Sequence, residues 1–327
     1  MSRLLRSLPY VAGIAIVLAL PRFIYPVLAL DILLWGLFAV SVDLLLGFGG
    51  LLSFGHAAFW GLGGYAGAIS AKTLGLPFPI AACVGALAAA ALAVPFGYLA
   101  NRRRGIYFAM VTLAFAQMLF YVANEWRSVT GGENGVQSVP RILPGLSVGR
   151  SIDFYYAAVP LVLLGFALAY RIVHSPFGHV LVAIRDNEAR AQALGYQTWR
   201  YKLLAFVLSG GLAGLAGGLF ALGHGFASLD LLHWTTSGTA VLMTILGGIG
   251  TLWGSLVGAA VVLLVRDALT NAPEASGVVT GAIFVVIVLA FRRGLWPTLG
   301  DTLRQLRTRG PRLLGRSTTI PGPRSSR

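Results

Sequence analysis

The chain has 327 residues, of which 57% are hydrophobic and only 11% charged. Soluble domains carry roughly 25% charged residues, so this composition excludes a soluble globular protein and leaves an integral membrane protein. The net charge of +14 rests on 23 Arg and two Lys placed at the ends of apolar runs, which is not a nucleic-acid-binding pattern; the single Cys83 excludes an internal disulfide and a Cys-rich metal site.

Backbone buried in lipid must satisfy its own hydrogen bonds, so the apolar runs are read as helices and the fold class as all-α. They fall at about 8–21, 26–46, 51–71, 77–100, 105–123, 153–172, 202–223, 236–249, 254–270 and 276–291, which predicts about ten transmembrane helices. The first run follows Arg3 and Arg6, like a signal peptide. It has no small-x-small cleavage site, and Pro21-Arg22-Phe23 comes next, so it reads as a retained span. With the N-terminus inside, nineteen basic residues lie on the cytoplasmic side and six outside, which predicts two cytoplasmic termini.

Residues 1–291 then form one transmembrane domain, and 292–327 a basic, partly disordered tail with nine arginines. The tail suits either anionic membrane lipids or plain solvation. Leu46-Gly47-Phe48-Gly49-Gly50-Leu51-Leu52 echoes Leu246-Gly247-Gly248-Ile249-Gly250-Thr251-Leu252, matching at four of seven positions, as an internal repeat of a transporter would.

The most informative loop lies at about 174–200. Ser175-Pro176 is a helix start that runs to about Asp186, Asn187 caps a short helix over Glu188–Leu194, and Gly195 supplies a left-handed stop. The result is a helical hairpin, suited either to docking a partner or to lying on the membrane as a connector. At 46–58, LGFGGLLSFGHAA, the chain reverses between two spans; such backbone is tolerated against protein or a wet cavity. Asp43, Gly49, Gly50, Ser53 and His56 are therefore candidates for a pathway wall or gate, against a reading of tight packing for the glycines and a satisfied core position for the histidine.

Catalytic readings do not hold. Ser53 and His56 could meet on a helix, but the Gly-x-Ser-x-Gly elbow is absent. His174 and His179, five apart, do not share a helical face. Lys72-Thr73 lacks the glycines of a phosphate-binding loop, so no nucleotide site is expected, and no cofactor or metal.

Glu188-Ala189-Arg190-Ala191-Gln192-Ala193-Leu194-Gly195 looks like the EAA…G loop of ABC-importer permeases. Five stretches, LLSFGHAAFWGLGGY (51–65), RGIYFAMVTLAFAQML (104–119), WRSVTGGENG (126–135), SPFGHVLVAIRDNEARAQALGY (175–196) and LGGIGTLWGSLVGA (246–259), resemble the LivM-type permeases of branched-chain amino acid ABC transporters. They occur in the family's order, and the resemblance runs from about 30 to 292. It implies a type II importer fold in the inner membrane. It implies partners: a second, LivH-like permease, two cytoplasmic ATPases that carry ATP and Mg, and a periplasmic or extracellular binding protein that largely sets specificity. It gives Glu188, Ala189, Arg190, Ala191, Leu194 and Gly195 an ATPase-coupling role. The external loop of Thr130, Gly131, Gly132 and Glu133 is suited to receiving the binding protein or closing the outer gate, or is an ordinary turn. The segment 223–234 also faces outside and reads as a short helix capped by Ser228, without a role. The alternative is a related permease for urea, short amides or other amino acids. A self-sufficient secondary transporter would need paired intramembrane carboxylates, and Asp43 is the one clear candidate.

Overall fold

The computed structural model describes residues 15–144, 149–269 and 294–298, with Gly13 and Gly281. The described residues are helical apart from loops and one isolated antiparallel bridge, Val136 to Ala227. Helix α1, Pro26–Asp43, starts at a proline and continues into a π-helical turn at Leu44–Phe48. Proline suits a helix start because its missing N–H would have no partner there. A non-helical stretch then leads to α2, His56–Leu74, which stops at left-handed Gly75. Helices α3 (Phe78–Ala100), α4 (Ile106–Glu125) and α5 (Ser151–Val173) follow. The hairpin comprises α6 (Pro176–Asp186) and α7 (Glu188–Ala193), and the chain returns in α8, Thr198–His224. The last described pair is α9 (Trp234–Gly247) and α10 (Leu252–Ala268).

The centre of the bundle is α1, most of whose residues are buried. It packs against α5, α8 and both members of the last pair. Its Trp35 and Phe38 meet Trp60 of α2, with the Phe38 and Trp60 ring centroids 4.6 Å apart. Around it, α2, α3 and α8 are joined through glycine. A Cβ on Gly63 would collide with the Gly214 backbone, one on Gly85 with the Gly63 carbonyl, and one on Gly217 with the Trp60 carbonyl. Small residues let backbones touch where lipid offers no hydrophobic drive to association.

Among the described residues, five helices are long and apolar enough to cross a membrane: α1 with its π turn, α3, α4, α5 and α8. The sequence suggested about ten. Part of the difference is physical. The 14 residues of α9 and 17 of α10 meet at 115° and make at most one broken span or a re-entrant loop, not two spans. Helix α2 is long enough at 19 residues, but its glycines and polar groups leave it less apolar than those five. The expected run at 276–291, Gly281 aside, and residues 8–12 and 14 of the run at 8–21 lie outside the described residues. A helix from residue 51 is not formed either; it starts at His56.

Candidate functional site

The local signals of the hairpin are all used. Ser175 Oγ accepts from Gly178 N at 3.4 Å, Asn187 Oδ1 accepts from Arg190 N at 2.9 Å, and Gly195 is left-handed at φ +89°. The hairpin is fastened to the bundle by charge. Lys202 Nζ of α8 lies 2.7 Å from Glu188 Oε1, Thr198 Oγ1 donates to the same oxygen at 3.1 Å, and Arg104 Nε lies 3.4 Å from Glu188 Oε2. Burial pushes the Glu188 carboxyl up, but Lys202, Thr198 and Arg104 together outweigh it and hold its pKa below the usual value. Ala191 is also buried. The outward surface is Ala189, Arg190, Leu194 and Gly195, with Leu194 72% exposed. So the six hairpin candidates divide: two face the bundle and four face away.

The second cluster is the pair of glycine-rich turns. They lie against each other, and Gly50 and Gly250, at matching positions of the echo, are both left-handed, at φ +66° and +76°. Asp43, fully buried, accepts from Gly250 N at 2.8 Å. Asp43, Gly49, Ser53 and His56 are buried, and Gly50 is exposed. Ser53 precedes the helix that His56 begins, and its Oγ accepts from Gly55 N at 3.2 Å. His56 Nε2 lies 2.7 Å from Ser209 Oγ, which donates to Ser41 O at 2.5 Å, and Phe59 and Phe206 close on the ring edge-on. The polar chain thus ties α2, α8 and α1. Ala57 N, an orphan donor at the α2 start, is met by Ser237 Oγ of α9 at 2.7 Å.

At the far end, Thr130 is buried, its Oγ1 lying 2.5 Å from Ala123 O and 2.8 Å from Trp126 O, either of which can accept its one proton. Gly131 and Gly132 take positive φ, and Glu133 is exposed. Glu133 lines an open cleft of about 380 Å3 with Phe120, Asn124, Ser228, Leu229, Asp230 and His233. Ser228 stands before a single 3-10 turn, Leu229–Leu232, but makes no side-chain cap there. Among the described residues, no three His, Cys, Asp or Glu side chains converge on a metal-sized site. Two arginines carry weight that the sequence does not signal. Arg141 donates to Leu222 O and Gly223 O at the end of α8, and Arg185 of α6 donates to Gly47 O. A basic residue in the last turn of its own helix is a local hint for Arg185; Arg141 lies in a loop and has none.

A family described as the branched-chain amino acid transport system permease component matches residues 27–288. The chain belongs to this family. Two relatives in it are the high-affinity branched-chain amino acid transport permeases LivM of Salmonella typhimurium and Escherichia coli K12. Each is 28% identical over 289 residues, covering 81% of this chain and 68% of the relative. The autoinducer 2 import permease LsrC of Photorhabdus laumondii is 31% identical over 129 residues, 38% of this chain and 39% of its own. No solved structure matches. As a member of a permease family with several apolar helices, the chain is a multi-pass membrane protein and not an enzyme.

Proposed function

We propose that this chain is a permease subunit of an ATP-driven ABC importer that moves branched-chain or other hydrophobic amino acids across the inner membrane. The observation that carries the reading is the hairpin: a two-helix unit pinned to the bundle by Glu188 and presenting Ala189, Arg190, Leu194 and Gly195 to a partner. That partner is a cytoplasmic ATPase, which holds ATP and Mg. A second permease completes the pathway, and a binding protein docks near Thr130–Glu133 at the far end. Both termini are cytoplasmic, in line with the excess of arginine at the hairpin end. The LivM permeases, matched over most of the chain, support the substrate class.

The LsrC match favours one second reading, import of a different small solute by the same architecture. The test is reconstitution of the chain with its co-purifying subunits in proteoliposomes. ATP-dependent uptake of labelled leucine or isoleucine is expected. Uptake without ATP, or ATP-dependent uptake of other solutes only, overturns the first reading.

A further inference from the structure

Resting on that functional reading, we infer that Arg185 and Asp43 are positioning residues that fasten the hairpin to both glycine turns. The hairpin, the end of α1 and the bend between α9 and α10 then move as one body.

The fastening starts at the last turn of α6. Arg185 Nη1 donates to Gly47 O at 2.5 Å. Its Nε and Nη2 both donate to Asp186 Oδ1, at 3.1 and 2.9 Å, which sets the plane of the guanidinium. The aliphatic part of the side chain runs over Gly50, where an added Cβ would come 2.7 Å from Arg185 Cγ. One arginine therefore holds the first turn by a charged hydrogen bond and by contact.

The first turn holds the second. An added Cβ on Gly47 would collide with both Asp43 Oδ1 and the Gly250 backbone. Asp43 Oδ1 accepts the Gly250 amide, so a carboxylate of α1 captures the turn that separates α9 from α10. Asp43 is fully buried and its Oδ2 has no hydrogen-bond partner among the described residues. A buried carboxyl group on a spanning helix is costly, and the Gly250 amide is the partner that holds it. The path from the hairpin to the bent pair thus has two polar links, Arg185 to Gly47 and Asp43 to Gly250, on turns too closely packed to slide. Displacing α6 must displace the bend.

The test uses the reconstituted complex in a Cys83→Ala background, with spin labels at Ala183→Cys on α6 and Trp253→Cys on α10, both exposed. One narrow distance, the same with and without a non-hydrolysable ATP analogue, is expected. Arg185→Ala should broaden it, leave assembly intact, and raise the ATP hydrolysed per substrate imported about tenfold. Arg185→Lys keeps the charge but not the fork, so a rise of about threefold is expected, and this variant decides the matter if the alanine variant does not fold. A wild-type distance that changes with nucleotide overturns the inference. So does a wild-type ATP ratio in both variants. If the unmutated complex imports nothing, the functional reading fails instead, and the distance distribution alone still decides the fastening.

Discussion

The α2–α3–α8 trio and the α6–α7 hairpin are joined to the molecule by opposite means. In the trio, backbones meet directly at Gly63, Gly85, Gly214 and Gly217, with no side chain between them. At α7 the hairpin is held by long charged side chains, Glu188, Lys202 and Arg104. Backbone contact has no rotamers and leaves no slack, whereas a side-chain tether can be reset at the cost of a few bonds. The trio is built as a fixed wall and the α7 end of the hairpin as an adjustable attachment.

The largest effect should come from filling the wall. Gly217→Val drives a side chain into the Trp60 carbonyl, so two helices must part. A loss of at least about 3 kcal/mol is expected, enough to remove the monodisperse peak in detergent gel filtration. A normal peak would show that the trio has slack after all.

His56→Ala comes next, because His56 belongs to the wall though its bonds are polar. It leaves a void and frees Ser209 Oγ from its partner, for an expected loss of about 3 kcal/mol by thermal unfolding. A melting temperature near wild type with reduced uptake would assign His56 to the transport pathway instead.

Glu188→Gln sharpens the contrast at the tether. It removes the charge facing nearly buried Lys202, with an expected local loss of about 1–2 kcal/mol, read as faster hydrogen exchange over residues 188–196 and little change elsewhere. The acid response has a defined sign. The folded Glu188 pKa is depressed, so its contribution is complete above the ordinary value of about 4.5 and is lost as pH falls through the lower folded value. The tether should loosen in that window, and the glutamine variant should lack the step. Equal acid loosening in both would place the tether elsewhere.

Leu194→Asp should affect the fold least, within about 0.5 kcal/mol, because the side chain points outward. ATPase co-purification should still fall about tenfold, as for an interface anchor. Unchanged co-purification would move the docking surface off the hairpin tip.

The hairpin was legible in the sequence because its signals are local: Ser175 with Pro176, Asn187, and Gly195 each act within four residues. The two glycine stretches were legible as similar, but not as touching, since Asp43 and Gly250 are 207 residues apart. The same distance problem hid Arg185 and its target Gly47, and the bond from His56 to Ser209. Apolar composition also overcounts spans. It registers α9 and α10 but carries no information on the 115° between them. Of the candidate site, residue types at turns and caps could be read; which of them face the bundle could not.

The glycine contacts of α8 also set an order of assembly. Helix α2 ends at Leu74 and α3 at Ala100, and the helix that completes their joint begins at Thr198. At about 5–20 residues per second, a ribosome needs roughly 5–20 s to make the intervening chain. For that interval the nascent α2 and α3 stand in the bilayer with a glycine-lined groove filled by lipid or held by an insertion chaperone. A nascent chain stalled before His224 should therefore be a good substrate for membrane quality control, and one stalled after it a poor one.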